Sequence, residues 1–191
     1  MTVTYTNRKG KTYYPHEGRT KLGKPKYFFA LRGEGNLAKA IPPRYEIYEN
    51  PNSQVFLRRI KAQVITDEEV AVVEDGMQRY CRLKHFIVDV KKNAIVIYTP
   101  DQDVDSLSTF LGSLAGGRQS RVDAALGRVL SYSPMLQFIL TDKVNRVFET
   151  QRYCFLGSID DWIAIGGSDT LPKLIKTYVR HLGEESFYDL Y

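Results

Sequence analysis

The chain has 191 residues, 43% apolar and 26% charged, an ordinary globular balance for one domain or for a small one joined to a medium one. No run of about 18 apolar residues offers a membrane span, and the opening MTVTYTNRKGK lacks the apolar stretch of a signal peptide, so the expectation is a soluble, cytoplasmic protein. The net charge of +5 conceals a split: residues 1–63 hold thirteen Lys and Arg against four Asp and Glu, a net of +9, and residues 64–191 a net of −4.

Along the chain, Val3–Thr6, Thr12–Tyr14 and Tyr27–Leu31 are runs of β-branched and aromatic residues. Asn7-Arg-Lys-Gly10 and the loop Gly18–Lys26 separate them, so they read as short strands joined by turns. YEIYENPNSQVFLRRI predicts a hairpin with strands near 45–49 and 54–60 around Asn50–Ser53. Thr66 with Glu69 three residues on is a capping-box signature, and Val70, Val73, Met77 and Tyr80 follow at helical spacing, predicting a helix over 67–82. Asp75-Gly76 opposes that helix, because the same letters suit a hairpin turn.

KHFIVDVKKNAIVIYTP predicts two strands about Lys91-Lys-Asn93, the second apolar enough for the interior of a sheet. Two short helices, Asp103–Leu114 and Ser120–Leu130, are expected around Ala115-Gly-Gly117. Strands near 135–141, 146–155 and 159–165 follow, joined at Asp142-Lys143 and Gly157-Ser158. Leu171–Leu182 is amphipathic at helical spacing, with Pro172 in the first turn and Gly183 past the end. The expected class is α+β: a small basic N-terminal β-unit over 1–63, then a mildly acidic domain over 64–191 with a mainly antiparallel sheet and about four helices in all.

Several short patterns resemble sites and fail on chemistry. Gly18, four residues, then Gly23-Lys24 has the glycine and lysine spacing of a phosphate-binding P-loop and lacks its final Ser or Thr. Pro25 stands where Ser or Thr would hold magnesium, and a strand follows where a helix is required. Asp101, Asp103 and Asp105 begin like a calcium loop, but Ser106 and Gly112 occupy the positions that need Gly and Glu, so these acids are expected to cap a helix. Asp89-Val-Lys91 has the acid-x-Lys form of metal-dependent nucleases, without an evident second carboxylate on a preceding strand. Arg118, Gln119 and Arg121 would lead the recognition helix of a helix-turn-helix, although two antiparallel helices packed on a sheet are the commoner arrangement. Cys81 and Cys154 read as small reduced hydrophobes and Trp162 as a core residue. With three His and no CxxC, neither a metal site nor a cofactor is expected.

The basic unit carries the remaining signal. Arg8, Lys9 and Lys11 fall in one turn, and Arg19, Lys21, Lys24 and Lys26 in the next, with Tyr14 among the aromatics between them and Tyr27 directly after the second. Cations at strand ends neutralise phosphates, and exposed rings stack on bases. Over about thirty residues this composition and strand spacing resembles the three-stranded DNA-binding units of phage integrase arms, with no specific motif. The leading expectation is a non-enzymatic protein that binds DNA or RNA through these nine residues. The alternatives are an adaptor that binds an acidic protein surface and a metal-dependent nuclease using Asp89 and Lys91.

Overall fold

The structure, a computed structural model, describes residues 3–114, 116, 118–155 and 160–190. The expected turns at Ala115–Gly117 and Gly157-Ser158 lie outside the described residues, Gly116 excepted. Among the described residues the fold is α+β: helices α1 (Asp67–Tyr80), α2 (Val104–Leu114), α3 (Gln119–Val129) and α4 (Leu171–Tyr178), with eleven strands in antiparallel sheets. Two compact units divide the chain, Met1–Ala62 with Gln102–Ser131, and Gln63–Asp101 with Tyr132–Tyr191. Residues 102–131 hold three acids and three bases, so the first unit keeps its net of +9.

In the first unit β1 (Tyr5–Thr6), β2 (Thr12–Arg19) and β3 (Pro25–Ala30) form one sheet in that order, and β4 (Tyr45–Glu49) pairs with β5 (Val55–Arg59). Three of its turns are one device. In Asn7-Arg-Lys-Gly-Lys11, Thr20-Lys-Leu-Gly-Lys24 and Asn50-Pro-Asn-Ser-Gln54 the first N–H donates to the fifth carbonyl at 3.0, 2.8 and 2.9 Å. The first side-chain oxygen accepts from the fifth N–H at 2.8, 3.2 and 2.9 Å. The fourth residue must take positive φ, which Gly10 and Gly23 do at 75° and Ser53 at 63°. So tight a turn lets the pairing continue to Arg19↔Pro25, and the loop expected over Gly18–Lys26 shrinks to Thr20–Lys24. Pro25 is tolerated as the first residue of an end strand.

The second unit is a sheet with helices on one face. Strands β6 (Ile87–Lys91), β7 (Ala94–Pro100), β8 (Tyr132–Asp142), β9 (Val147–Cys154) and β10 (Asp161–Ala164) run in spatial order β10-β9-β8-β7-β6, and β11 (Asp169–Thr170) also pairs with β9. Strand β7 lies inside the sheet and is buried on both faces, which accounts for its near-continuous apolar sequence. Ile95 and Ile97 join Leu136, Phe138 and Phe148 under Val73 and Met77 of α1 and Leu174 and Ile175 of α4. The opposite face carries a smaller cluster of Ala94, Val96 and Tyr98, and Trp162, expected in the core, is instead half-buried at that cluster's margin on end strand β10.

Helix α1 begins as its letters predict. Thr66 Oγ1 accepts from Glu69 N at 3.3 Å, and the Glu69 carboxylate accepts from Thr66 N at 2.9 Å. Asp75-Gly76 does not turn the chain. A Cβ on Gly76 would stand 2.1 Å from Ile175 Cγ2, so this glycine serves the close approach of α4. Helix α4 tightens after Tyr178 into a 3₁₀ turn over Val179–His181, and Gly183 follows at φ 84°.

Candidate nucleic-acid interface

The two basic turns close opposite ends of β2, so about 25 Å of extended strand separates them. Arg8, Lys9 and Lys11 stand at one end, and Arg19, Lys21, Lys24 and Lys26 at the other. The seven cations therefore form two groups, and their surroundings differ.

At the first turn Arg8 is already engaged. Its Nε donates to Glu49 Oε1 at 2.8 Å, its backbone N–H donates to the same oxygen at 3.0 Å, and a terminal NH2 donates to the Asn50 carbonyl. Tyr5 OH donates to Glu49 Oε2 at 2.9 Å, and buried Asn7 donates through Nδ2 to Ser53 O at 2.7 Å. Burial raises the Glu49 carboxyl pKa, but the hydrogen bonds from Arg8 and Tyr5 outweigh it and hold the group below the usual carboxylate range. Turn 7–11 is thus clasped to the β4–β5 hairpin. Lys9 and Lys11 have no carboxylate partner among the described residues, and Lys9 is half-buried.

The second turn is different. Every residue from Arg19 to Lys26 is exposed, so the end of the β2–β3 hairpin stands in solvent with four cations on it. None of Arg19, Lys21, Lys24 and Lys26 has a carboxylate partner among the described residues. The turn is nonetheless ordered by Thr20, whose carbonyl accepts from Gly23 N at 2.9 Å. Beside it lies a shallow, open depression of about 380 Å³, lined by Glu17, Gly18, Arg19, Gly23, Pro25 and Asn36.

The predicted stacking residues are partly occupied. Tyr14 lies under the backbone of Gly33, where an added Cβ would come within 3.1 Å of its ring. Tyr27 makes an edge contact with Tyr45 at 6.0 Å and reaches Glu17 through its hydroxyl at 3.5 Å. The ring that remains accessible is Phe28, 40% exposed, stacked on His16 at 5.3 Å with Lys26 Nζ 5.7 Å above it. Strand alternation puts Phe28 and its neighbours on opposite faces, but which face stays open depends on what packs against the sheet. Leu22, 85% exposed at the hairpin tip, was equally silent in the sequence. On β4–β5 the Arg58 guanidinium lies 3.9 Å from the Tyr48 ring centre, and Tyr48 stacks on exposed Phe56.

The remaining candidates gain little. Asp89 and Lys91 share a face of β6, with Val96 and then Gln137 beside Asp89 in the register, and Lys91 Nζ lies 5.1 Å from the Tyr98 ring. Among the described residues no three His, Cys, Asp or Glu side chains are grouped to hold a metal ion. Asp103 accepts from Asp105 N and Ser106 N, each at 3.1 Å, as a helix cap does, and the hydrogen bonds from Ser106 hold its carboxyl low. His181 and Ser186 touch at 2.8 Å, but Arg180 donates to His181 Nε2, which leaves the proton on Nδ1 facing the serine. A nucleophilic serine needs the reverse. Cys81 and Cys154 are free thiols, and burial pushes that of Cys81 up and away from reactivity.

No protein-family model matches this chain, and no curated protein or solved structure matches it significantly.

Proposed function

We propose that the protein binds nucleic acid without catalysing a reaction, through phosphate contacts from the β2–β3 hairpin. The observation that carries this reading is the run of eight exposed residues, Arg19–Lys26, bearing four cations with no carboxylate partner among the described residues. Cations left in water on a turn held by its own hydrogen bonds lose little freedom when phosphates replace their counterions. Phe28, 40% exposed and stacked on His16 with Lys26 over it, sets an apolar ring beside the charges. Phosphate contacts of this kind give affinity with little sequence preference. Residues 1–63 are the contacting module in this reading, the α+β remainder serves a partner or a second copy, and the protein works in the cytoplasm.

The test is fluorescence anisotropy with labelled single-stranded DNA, duplex DNA and RNA between about 50 and 200 mM salt. Wild type is expected to bind at the low-salt end and to weaken steeply as salt rises. The triple variant Lys21→Ala, Lys24→Ala, Lys26→Ala is expected to lose binding under the same conditions. No binding by wild type at low salt discards this reading in favour of an acidic protein partner for the same hairpin.

A further inference from the structure

We infer that the β2–β3 hairpin is shaped for duplex DNA and that Leu22 is a wedge that enters between base pairs and bends the duplex. The inference rests on the nucleic-acid reading above. A single exposed leucine ordinarily needs no explanation. This one, 85% exposed, occupies the tip of a turn between Lys21 and Lys24, with Arg19 and Lys26 behind them.

The charges are arranged by arm. Arg19 and Lys21 precede the leucine on the β2 side, and Lys24 and Lys26 follow it on the β3 side. Paired strands lie about 4.8 Å apart, so Lys21 and Lys24 flank an apolar tip, while Arg19, level with Pro25, and Lys26, level with Gly18, stand behind it on opposite faces of the hairpin. The minor groove of DNA offers phosphates on both walls and base edges on the floor. At about 6 Å in B-form it takes a two-stranded hairpin only when the duplex is bent and the groove widened, which is what a wedge does. Apolar wedges flanked by Arg and Lys are a known means of unstacking a step and kinking the helix there. A single strand offers phosphates along one line, which leaves one arm without a partner. A-form RNA has a shallow, wide minor groove and a major groove too narrow for a hairpin.

The wedge must also be held rigidly. Thr20 supplies this by receiving hydrogen bonds from Gly23 N and, through Oγ1, from Lys24 N, and Gly23 holds the φ of 75° that the turn needs. No described side chain packs on Leu22 closely enough to bury it, so its removal leaves the fold intact.

The experiment uses the full chain and a short duplex with end-to-end energy-transfer dyes and 2-aminopurine in place of adenine at its TA steps, where unstacking is easiest. Wild type is expected to shorten the end-to-end distance and raise 2-aminopurine fluorescence. Leu22→Ala is expected to keep the salt dependence of binding, because leucine makes no phosphate contact, and to lose both signals. Binding by wild type with neither signal, or equal signals from Leu22→Ala, overturns the wedge and leaves the nucleic-acid reading standing. Salt-sensitive binding confined to single strands or RNA overturns the duplex assignment in the same way. If no nucleic acid binds at low salt, both fall together, and binding to phosphatidylserine vesicles in that case assigns Leu22 and its lysines to a membrane surface.

Discussion

Gly76 shows how one residue answers to two demands. Inside a helix, glycine is worse than alanine by about 1 kcal/mol, so α1 taken alone would be improved by Gly76→Ala. In the folded chain the new methyl would meet Ile175, a core side chain 1% exposed, with its Cγ2 only 2.1 Å from the built Cβ. Overfilling a packed core costs about 1–3 kcal/mol, and a branched, fully buried isoleucine has little room to yield. The expected outcome is a lower Tm for Gly76→Ala in a thermal melt. A Tm at or above wild type would mean that α1 and α4 can separate without loss.

At the scale of elements, one five-residue turn recurs three times in the first unit and is put to different uses. The turns at 7–11 and 50–54 hold each other through Asn7 on the Ser53 carbonyl and Arg8 on the Asn50 carbonyl, with Arg8 also donating to Glu49, whereas the turn at 20–24 is left in solvent. Removing Arg8 should therefore affect stability, by about 1–2 kcal/mol for charge-assisted hydrogen bonds to a buried acceptor. The sign of its pH dependence follows from Glu49, whose pKa is lower folded than unfolded. Its contribution is complete above the unfolded value of about 4.3 and is lost as pH falls through the depressed folded value. In urea titrations the difference between wild type and Glu49→Gln should be constant from pH 7 to about pH 5 and shrink below pH 4. An equal difference at pH 7 and pH 3 would rule out this clasp as a charged contact.

For the whole molecule the first quantity to use is the charge of each unit. The unit bearing the hairpin is at +9 while the other is at −4, so long-range attraction of an anionic polymer falls to the first. Each phosphate contact contributes about −0.9 to the slope of log affinity against log salt on duplex DNA. If all four hairpin cations engage, wild type should show a slope near −3.6, and a single Lys24→Ala variant should lower its magnitude by about 0.9. A slope that stays unchanged in Lys24→Ala would place the contacts elsewhere in the unit, on Lys9 and Lys11 or on the Arg58 face.

Much of the local structure was legible because its causes are local. The capping box at Thr66 and Glu69, the turns at Asn7–Gly10 and Asn50–Ser53 and the apolar run of β7 act through neighbours in the chain or through a plain pattern of burial. The charge split is a matter of composition alone. What the letters could not contain was which surfaces meet. Glycine at position 76 reads only as an argument against the helix over 67–82 until α4 is known to lie against it, and Arg8 reads like Lys21 until Glu49, 41 residues away, is brought beside it. Tyr14 and Phe28 are equivalent aromatic letters, yet one lies under Gly33 and the other stays open. The sequence by itself determined the elements, their turns and the sign of the charge. Only tertiary structure decided which cations and rings remain free, because that depends on partners distant along the chain.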